Sequence, residues 1–376
     1  MGEIVESLAI IQIVSSIMIL VPVIYWVVVK RLVVEAPPPV DQNLSMGNIC
    51  VILPMRNEIS NVERKLAEII DEILSDRSVT LVVADSSSED GTAKTAEKFL
   101  KSSELEDERW MISDFEGRGK NVALNGVLSE VDSDIFVISD ADAQLSPGWL
   151  RIIRSRLGED DVGVVSGMEK EIDSGSMDFN RYYRDKSNLL RIIESSIDST
   201  PVLEGSILGW KTSALGSFVI DEGMNADDAQ IGFFSIRSGH RSVVDDRLVF
   251  RSFDSSNIRT FKESVRRAQG LSLAIMKNAD LIVSGGRKKY RIALFNAFFL
   301  YLIFPWALLV FVANSLIAFS LLPEVGVTWQ FFSVIALIFL LIHPHGRFLA
   351  RGTAISIVGH SMALVGKRYK NWEPNR

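Results

Sequence analysis

The alternation of apolar and polar positions divides the chain into three parts. A long uncharged run comes first, a middle part follows in which short apolar runs alternate with helical patterns, and the last part is again strongly apolar. The alternation within residues 48–252 is typical of an α/β domain with a largely parallel sheet. We predict strands at residues 49–54, 79–84, 110–113, 135–138 and 163–166, and helices at residues 62–74, 93–100, 120–128 and from Pro147 onwards.

The first apolar run is long enough to cross a bilayer. Residues 8–29 are 22 positions without a charge, and about 20 apolar residues span the hydrocarbon core. Two glutamates precede the run where a signal peptide would carry basic residues, and Lys30 and Arg31 follow it. Because cations mark the cytoplasmic side of a span, we expect a retained anchor at residues 1–31 with its N-terminus outside. A proline-rich linker follows at residues 32–47.

Two further apolar stretches lie towards the C-terminus. The runs 292–322 and 328–342 predict two transmembrane helices within the segment 292–346, and basic residues follow them. The positive-inside rule then places the middle domain and the C-terminal tail in the cytoplasm. We expect residues 347–376 to form an interfacial helix and a cytosolic tail, because the apolar stretch 354–365 is too short to span. The alternative for the two apolar runs is a buried helical hairpin of a soluble protein.

Composition narrows the class of partner. A formal net charge of −7 argues against a nucleic-acid-binding protein, so we predict no nucleic-acid partner. The hydrophobic fraction of 47% is high for a soluble enzyme and agrees with membrane segments. The single cysteine, Cys50, excludes an intrachain disulfide and gives no sign of an oxidising compartment.

Two aspartates stand at the end of a predicted buried strand. The apolar run 135–138 is followed by Asp140 and Asp142, and ligands of open α/β sheets bind at the carboxyl ends of the strands. Carboxylates in such a place suit a hard divalent cation that in turn holds phosphates. The alternative is a solvated acidic turn, because so short a motif is weak by itself.

Other polar groups also fall at strand ends or helix starts. Asp85 closes a predicted strand and could accept hydrogen bonds from a base or ribose, or it could simply cap a turn. Lys120 begins a predicted helix after two glycines, where it and the backbone N–H groups suit phosphate. Asp227 and Asp228 open a helical pattern, and they suit either the helix dipole or general base catalysis.

The order of these segments is more specific than any one of them. The series is Pro54-Met55-Arg56-Asn57-Glu58, Asp85-(x)4-Asp90-Gly91-Thr92, Gly119-Lys120-(x)3-Leu124-Asn125, Asp140-Ala141-Asp142, the tight turn Glu204-Gly205-Ser206, and Asp227-Asp228 followed by Gly239-His240-Arg241. Over about residues 48–270 it resembles the family 2 inverting glycosyltransferases, which have a GT-A fold. The flanking apolar segments are similar to those of membrane-bound members. The resemblance therefore implies an α/β fold with a mixed, mainly parallel sheet, a cytosolic catalytic domain at residues 48–257, and transmembrane helices around it.

The resemblance also implies roles for the matching positions. Asp142 would contact Mg²⁺ or Mn²⁺ on the diphosphate, and Asp228 would be the catalytic base. Asp85 would contact the base of a UDP- or GDP-sugar. Lys120 is included because it begins a predicted helix after two glycines. The candidate residues for binding the nucleotide-sugar donor are Pro54, Asn57, Glu58, Asp85, Lys120 and Asp140. The candidates on the acceptor and diphosphate side are Glu204, Gly205, Ser206, Asp227, Arg266 and Arg267.

One departure from the family pattern concerns the segment after the base. Many membrane-bound members, including processive polysaccharide synthases, carry Gln-x-x-Arg-Trp there. In this chain Glu263 and Arg266 match the Gln and Arg positions, Arg267 follows, and the tryptophan is absent. Residues 258–291 hold nine Lys or Arg against two acids, which predicts a basic amphipathic segment at the membrane surface or simply the basic flank of a span.

We expect an integral membrane glycosyltransferase that transfers one sugar to a membrane lipid or polyprenyl-linked acceptor. A processive polysaccharide synthase is the alternative among enzymes. From another class, a catalytically silent GT-A domain could serve as a membrane scaffold or sugar-nucleotide sensor, although the complete set of Asp140, Asp142 and Asp228 argues against it. A soluble nucleotidyltransferase is disfavoured by the apolar segments.

Overall fold

A computed structural model gives the architecture of the chain. It describes residues 2–32, 34, 36–40, 47–115, 119–170, 179–252, 261–321, 335, 338–340 and 342–367. Its α-helices are α1 (Gly2–Val29), α2 (Val62–Ile73), α3 (Thr92–Lys101), α4 (Lys120–Glu130), α5 (Trp149–Leu157), α6 (Phe179–Ile197), the single turn α7 (Thr212–Leu215), α8 (Asp227–Arg237), α9 (Phe261–Lys277), the single turn α10 (Leu281–Ser284), α11 (Lys288–Phe298), α12 (Phe304–Leu321) and α13 (Pro344–Leu364). The strands are β1 (Ile49–Met55), β2 (Val79–Asp85), β3 (Trp110–Asp114), β4 (Ile135–Ser139), β5 (Ala143–Leu145), β6 (Val162–Glu169), β7 (Ile207–Lys211) and β8 (Arg241–Ser252).

The eight strands form one mixed sheet in the order β3-β2-β1-β4-β7-β6-β8-β5. The first four run parallel, with Ile49 of β1 opposite Val79 of β2 and Ile135 of β4. Strand β7 is antiparallel to both of its neighbours, β5 is antiparallel to β8, and β6 and β8 are parallel. The α/β class with a mixed, mainly parallel sheet is therefore confirmed. The sequence pattern did not indicate β5, β7 and β8, whose positions depend on long-range pairing.

The parallel strands are continuous apolar runs because helices cover both faces of the sheet. Every residue of β1 and β4 is buried. One apolar core lies between the sheet and α2, α3 and α5, and a second lies on the opposite face against α4 and α8. This two-sided burial fixes the strands, and it brings the ends of β1, β2 and β4 together at one edge.

In the part of the chain that the structure describes, two helical stretches are long and apolar enough to cross a membrane, Glu3–Val29 and Lys288–Ser320. The second consists of α11, a π-helical turn at Phe299–Ile303 and α12. The predicted third span at residues 328–342 lies largely outside the described residues. Helices α1 and α12 pack together, and the side chain of Asn314 donates to Gln12 Oε1 at 2.7 Å, a polar contact between two otherwise apolar helices.

The N-terminal helix and the linker both contact the α/β domain. Tyr25 of α1 donates a hydrogen bond to the buried Glu194 of α6 at 2.9 Å. In the proline-rich linker, the carbonyl of Pro38 accepts from Arg247 of β8 at 2.7 Å. These contacts orient the first apolar helix relative to the sheet.

Where the structure describes it, the basic segment predicted at residues 258–291 forms α9, α10 and the start of α11. Helix α9 packs along α13. On this helix the apolar side chains of Val265 and Ile275 are buried, whereas Phe261 is 48% exposed. Because protein covers Val265 and Ile275, their burial needs no lipid. The short stretch expected at residues 354–365 belongs to the 21-residue helix α13.

Candidate active site

The loops after β1 and β2 are joined by side-chain hydrogen bonds. Asn57, at a φ of +55° that asparagine tolerates better than most residues, donates its N–H to Ser88 Oγ at 2.9 Å. Its side-chain oxygen accepts the N–H of Glu89 at 2.8 Å. The N–H of Glu58 is held by Thr92 Oγ1 at 2.8 Å. These bonds fix the backbone around Pro54, Asn57 and Glu58, where the nucleotide pocket is predicted.

Asp85, at the end of β2, is 2% exposed and accepts from both the N–H and the hydroxyl of Ser88, at 2.8 and 2.5 Å. Asp90 accepts from the N–H and hydroxyl of Thr92 at 2.9 and 2.6 Å and from the N–H of Ile59 at 3.1 Å. Burial raises the pKa of Asp90, but these hydrogen bonds outweigh it and hold the pKa below its ordinary value. Both aspartates thus order their turn, and the contact of Asp85 with a base stays a prediction.

The carboxylates at the end of β4 lie in a different electrostatic environment. Burial and the neighbouring Asp140 carboxylate raise the pKa of Asp142, although Arg267 and Lys120 oppose the rise. Burial raises the pKa of Glu58, after β1, to about 7, and Asp142 and Asp140 add to that effect. The structure therefore brings three predicted donor-site acids into one electrostatic environment with an excess of negative charge.

Lys120 connects the donor side of this edge with the acceptor side. Its Nζ lies 2.9 Å from Asp140 Oδ1 and 2.8 Å from Asp227 Oδ2. Burial lowers the pKa of Lys120, but the two carboxylates more than offset this, and the pKa is raised above its ordinary value. The backbone N–H of Gly119, expected to face phosphate, donates to Ser86 Oγ at 3.1 Å. Lys120 is accordingly a fixed cation between the two acidic sites.

Asp228 lies beside this cation in the first turn of α8. Burial, followed by the Asp227 carboxylate, raises the pKa of Asp228 to about 7, and Glu204 adds to the shift. Lys120 and the N–H of Ala229 oppose it. A carboxylate with a pKa near 7 can accept a proton efficiently at neutral pH. The environment of Asp228 is therefore suited to the role of general base.

The turn Glu204-Gly205-Ser206 lies against both aspartate sites. The carbonyl of Ser206 accepts the N–H of Asp140 at 3.1 Å. A Cβ added to Gly205 would lie 3.6 Å from the Asp228 carboxylate, so this backbone passes close to the predicted base. The Glu204 side chain pairs with Arg191 of α6. The predicted turn and its closeness to the site are thus observed.

Helix α9 brings two arginines to the same edge. Arg267 lies within electrostatic range of Asp142, and the half-buried Arg266 lies within range of Asp140 and Asp227. These are the positions expected on the diphosphate side. Arg267 occupies the position at which the Gln-x-x-Arg-Trp pattern has its tryptophan.

Three amide side chains, to which the sequence analysis assigned no role, hold the loop before Asp227. Asn121 and Gln230 donate to the carbonyl of Met224 at 2.8 and 3.1 Å, and Asn125 exchanges two 2.9 Å hydrogen bonds with Ile220. Asn121 and Asn125 lie four residues apart on α4, one helical turn, which is a signal that the sequence contained.

Gly270 was also missed. In α9 it packs so closely on the same loop that a Cβ would lie 2.1 Å from the carbonyl oxygen of Asn225. A glycine inside a helix costs about 1 kcal/mol relative to alanine and often marks close packing. Gly270 therefore seats α9 on the loop that leads to Asp228.

The residues at the end of β4 fit a divalent cation. Within the described residues, no group of three or more His, Cys, Asp or Glu side chains is close enough to hold a metal by itself. Asp140 and Asp142 supply two carboxylates whose mutual repulsion a cation would relieve. Mg²⁺ in phosphate-binding sites commonly takes one or two carboxylates and completes its shell with substrate phosphates and water. Asp140 and Asp142 are therefore chemically suited to supply the protein's part of such a coordination shell.

Comparison with known proteins agrees with this geometry. No curated protein matches the chain. The family model described as glycosyl transferase family 2 matches residues 50–214. A mannosyltransferase from Pyrobaculum calidifontis, solved in complex with GDP-Man and Mn²⁺, is 24% identical with a TM-score of 0.79, and the match covers 96% of this chain and 100% of that one.

Two other solved structures are more distant. The S. aureus protein TarS, residues 1–349 in complex with UDP-GlcNAc, is 14% identical over 87% of this chain and 94% of that one, with a TM-score of 0.45. A glucosyl-3-phosphoglycerate synthase from Mycobacterium tuberculosis, solved with Mn²⁺, UDP and phosphoglyceric acid, is 16% identical over 62% and 78%, with a TM-score of 0.43. The family 2 glycosyl transferase model thus matches residues 50–214, and the likeness to the mannosyltransferase shows that the two chains share a GT-A-like α/β fold.

Proposed function

We propose that the chain transfers one sugar from a nucleotide-diphosphate sugar to a lipid or polyprenyl-linked acceptor at the cytosolic leaflet, with inversion and with Mg²⁺ or Mn²⁺. One observation carries the proposal: α9 links the acidic edge of the sheet to the apolar helices. Its Arg266 and Arg267 lie within electrostatic range of the carboxylates, and the helix packs along α13.

The contacts continue from α9 into the apolar helices. Ser272 Oγ lies 2.9 Å from His360 Nε2 of α13, and the indole N–H of Trp306 on α12 donates to His360 Nδ1 at 3.1 Å. A catalytic edge attached in this way to helices long enough to cross a bilayer supports an acceptor that reaches the site from the membrane.

The donor side supports a nucleotide-diphosphate sugar. The loops after β1 and β2 are preorganised by hydrogen bonds, and the acids after β4 fit a cation that holds a diphosphate. The mannosyltransferase whose match covers 96% of this chain was solved with GDP-Man and Mn²⁺. We therefore take GDP-mannose as the first donor to test, with UDP-sugars as the comparison.

The chemistry follows from the arrangement of the acids. A bound divalent cation would neutralise charge on the leaving diphosphate. Asp228 accepts the proton of the acceptor hydroxyl, and Lys120 stays between Asp140 and Asp227 as a fixed positive charge. Direct displacement at the anomeric carbon with such a base requires no nucleophile from the protein, and it inverts the configuration.

An apolar groove supports a lipid acceptor. It has a volume of about 560 Å³ and lies between α1 and the start of α12, with Ile11, Met18, Leu302 and Trp306 among its walls. Its dimensions and composition suit a hydrocarbon chain. Lys30 and Arg31 after α1, and the basic residues before α11, favour a cytosolic position for the catalytic domain.

The test is sugar transfer by the full chain reconstituted in liposomes that contain polyprenyl phosphate and glycerolipids. With Mn²⁺ and radiolabelled GDP-mannose or UDP-sugars, we expect one donor to give a single-sugar product that extracts into organic solvent, with inverted configuration by NMR. D228N should lose activity when the acceptor is a hydroxyl and keep part of it when the acceptor is a phosphate, while the matched variant D246N on β8 should keep the wild-type activity in both cases. A water-soluble polymer would establish the polysaccharide synthase instead. Donor binding with no turnover would contradict the enzymatic proposal.

A further inference from the structure

A lysine lies fully buried behind the acids at the end of β4. Lys65 of α2 has no exposed surface, and helical periodicity places it on the same face as the core residues Val62 and Ile69. Lysine is almost never fully buried unless it is paired. Burial lowers the pKa of Lys65, while Glu68, Asp140 and Asp142 raise it in part. A charge so placed needs a local reason.

The contacts of Lys65 are directed at the backbone just beyond the predicted metal ligand. Its Nζ donates to the carbonyl of Ala143, the residue after Asp142, at 2.6 Å. The same Nζ pairs with Glu68 Oε1 at 2.8 Å, and that oxygen also accepts the N–H of Leu145 at 3.1 Å. Helix α2 thus holds the start of β5 through one ion pair.

The segment from Asp140 to Ala143 is a closed turn. The N–H of Ala143 donates to the carbonyl of Asp140 at 3.3 Å, so the two ends of the turn are joined. From helix α2, Lys65 donates a hydrogen bond to the carbonyl of Ala143. The N–H and the carbonyl of Ala143 belong to the peptides on its two sides, so these two hydrogen bonds fix Ala143 and with it the backbone direction from which the preceding residue, Asp142, presents its side chain.

We propose that Lys65 is a positioning residue for the divalent cation: through Ala143 it orients the Asp142 carboxylate for metal binding. This rests on the proposed function, in which Asp142 is a metal ligand. Residues behind metal ligands typically change metal affinity by about 10–100-fold when they are mutated.

Two other roles for Lys65 predict different results. As a simple counter-charge to Asp140 and Asp142, it would oppose a cation, and its removal would strengthen metal binding. As general scaffolding, it would act like Glu72, seven residues further on α2, whose carboxylate holds the N–H groups of Gly148 and Leu150 at 2.9 and 3.3 Å.

The experiment measures Mn²⁺ binding by electron paramagnetic resonance of free Mn²⁺, on the full chain in detergent with GDP present. The main variant is K65M/E68M. It removes both partners of the buried pair, which leaves the net charge unchanged and is often tolerated. E72Q is the matched control on the same helix face. Melting temperatures report folding, and K65Q/E68Q is a second variant that keeps polar groups but has a shorter reach at position 65.

We expect K65M/E68M to bind Mn²⁺ about 10–100-fold more weakly than the wild type, K65Q/E68Q to be weakened in the same direction, and E72Q to stay within about threefold. Binding at the wild-type affinity or tighter in whichever pair variant folds would overturn the proposal, as would equal weakening in E72Q. If the wild type itself binds no Mn²⁺, the metal requirement of the proposed function fails instead, so the two failures are distinguishable.

Discussion

Strands β2 and β4 flank β1 on either side, and two aspartates lie at or shortly after the end of each strand. After β2, Asp85 and Asp90 accept hydrogen bonds from Ser88, Thr92 and Ile59. After β4, Asp140 is paired with Lys120, and Asp142 lies close to Asp140 and Glu58. The pKa of Asp90 is lowered, because hydrogen bonds outweigh burial, whereas the pKa of Asp142 is raised by burial and by Asp140.

The difference distinguishes an acid held by the fold from one that a ligand would compensate. Hydrogen bonds from its own turn lower the pKa of Asp90, so the fold itself stabilises its ionised form. Around Asp142, Lys120 and Arg267 offset only part of the effect of burial and of Asp140, and a bound cation would offset more of it. Perturbed pKa values in a cluster are typical of functional sites. The same residue type therefore lies in opposite electrostatic environments at the two strand ends.

The largest effect is expected at Asp142. D142A removes one of the two carboxylates that fit the cation, and loss of several kcal/mol of charge stabilisation corresponds to a loss of about 10³-fold or more in kcat. Initial rates over a Mn²⁺ titration check this. A variant with wild-type rate and unchanged Mn²⁺ dependence would show that β4 is no different from β2.

D228N should lower kcat by about 10²–10⁴-fold for a hydroxyl acceptor, because a neutral amide cannot accept the proton. A phosphate acceptor is already ionised, so the loss would then be graded and small. Transfer rates with polyprenyl phosphate and with a hydroxyl-bearing glycolipid distinguish the two. Unchanged transfer to a hydroxyl acceptor would remove Asp228 from the mechanism.

The raised pKa of Asp228 also makes stability depend on pH. With a folded pKa of about 7 against an ordinary value near 4, the folded state binds the proton more tightly, so stability is present at low pH and is lost as pH rises through about 7. D228N should therefore raise Tm by several degrees at pH 8 and hardly at all at pH 4. Differential scanning fluorimetry at both pH values measures this; an equal shift at both would contradict the assignment.

G270A should separate α9 from the loop before Asp227, since a Cβ would lie 2.1 Å from the carbonyl oxygen of Asn225. We expect a roughly tenfold lower kcat, because small displacements of a catalytic group have large effects. G352A in α13 is the matched control, as its Cβ meets nothing within 4 Å among the described atoms. Equal kcat values in the two variants would show that α9 does not position the base.

The smallest effect on catalysis is expected at Asp90. D90A removes hydrogen bonds at the start of α3 and should cost about 1 kcal/mol of unfolding free energy, with kcat within a few-fold of wild type. The lowered pKa makes this contribution present above about pH 4 and lost as pH falls through the folded value. Urea unfolding at pH 7 and pH 3 measures it. A loss of activity as large as that of D142A would erase the contrast between the strands.

Much of this fold was predictable from local pattern. The apolar run before Asp140 and the helical period of α2 are local features, and both were confirmed. The antiparallel strand β7 was not predicted, because its place between β4 and β6 depends on pairing that no short window contains. Likewise, Asp85 and Asp140 look alike in the sequence, and only their hydrogen-bond partners separate them.

The residues that sequence reasoning missed act through contacts made at long range. Lys65 lies 78 positions from Ala143, and Asn121 lies 103 positions from Met224. A local signal existed in two cases, since lysine at a core-facing helical position is unusual and Asn121 lies one helical turn from Asn125. For Gly270 the sequence shows only a glycine inside a helix, and the partner carbonyl is visible only in the fold.

The most direct test of metal-dependent sugar transfer to a lipid is a metal-restoration measurement on the reconstituted chain. After treatment with EDTA, radiolabelled donor is supplied and sugar in the lipid phase is followed as Mn²⁺ is returned. Without metal we expect no transfer. With Mn²⁺ we expect saturable recovery of transfer for the wild type and D90A, and no recovery for D142A. Transfer to lipid that is independent of metal, or full recovery in D142A, would contradict these expectations.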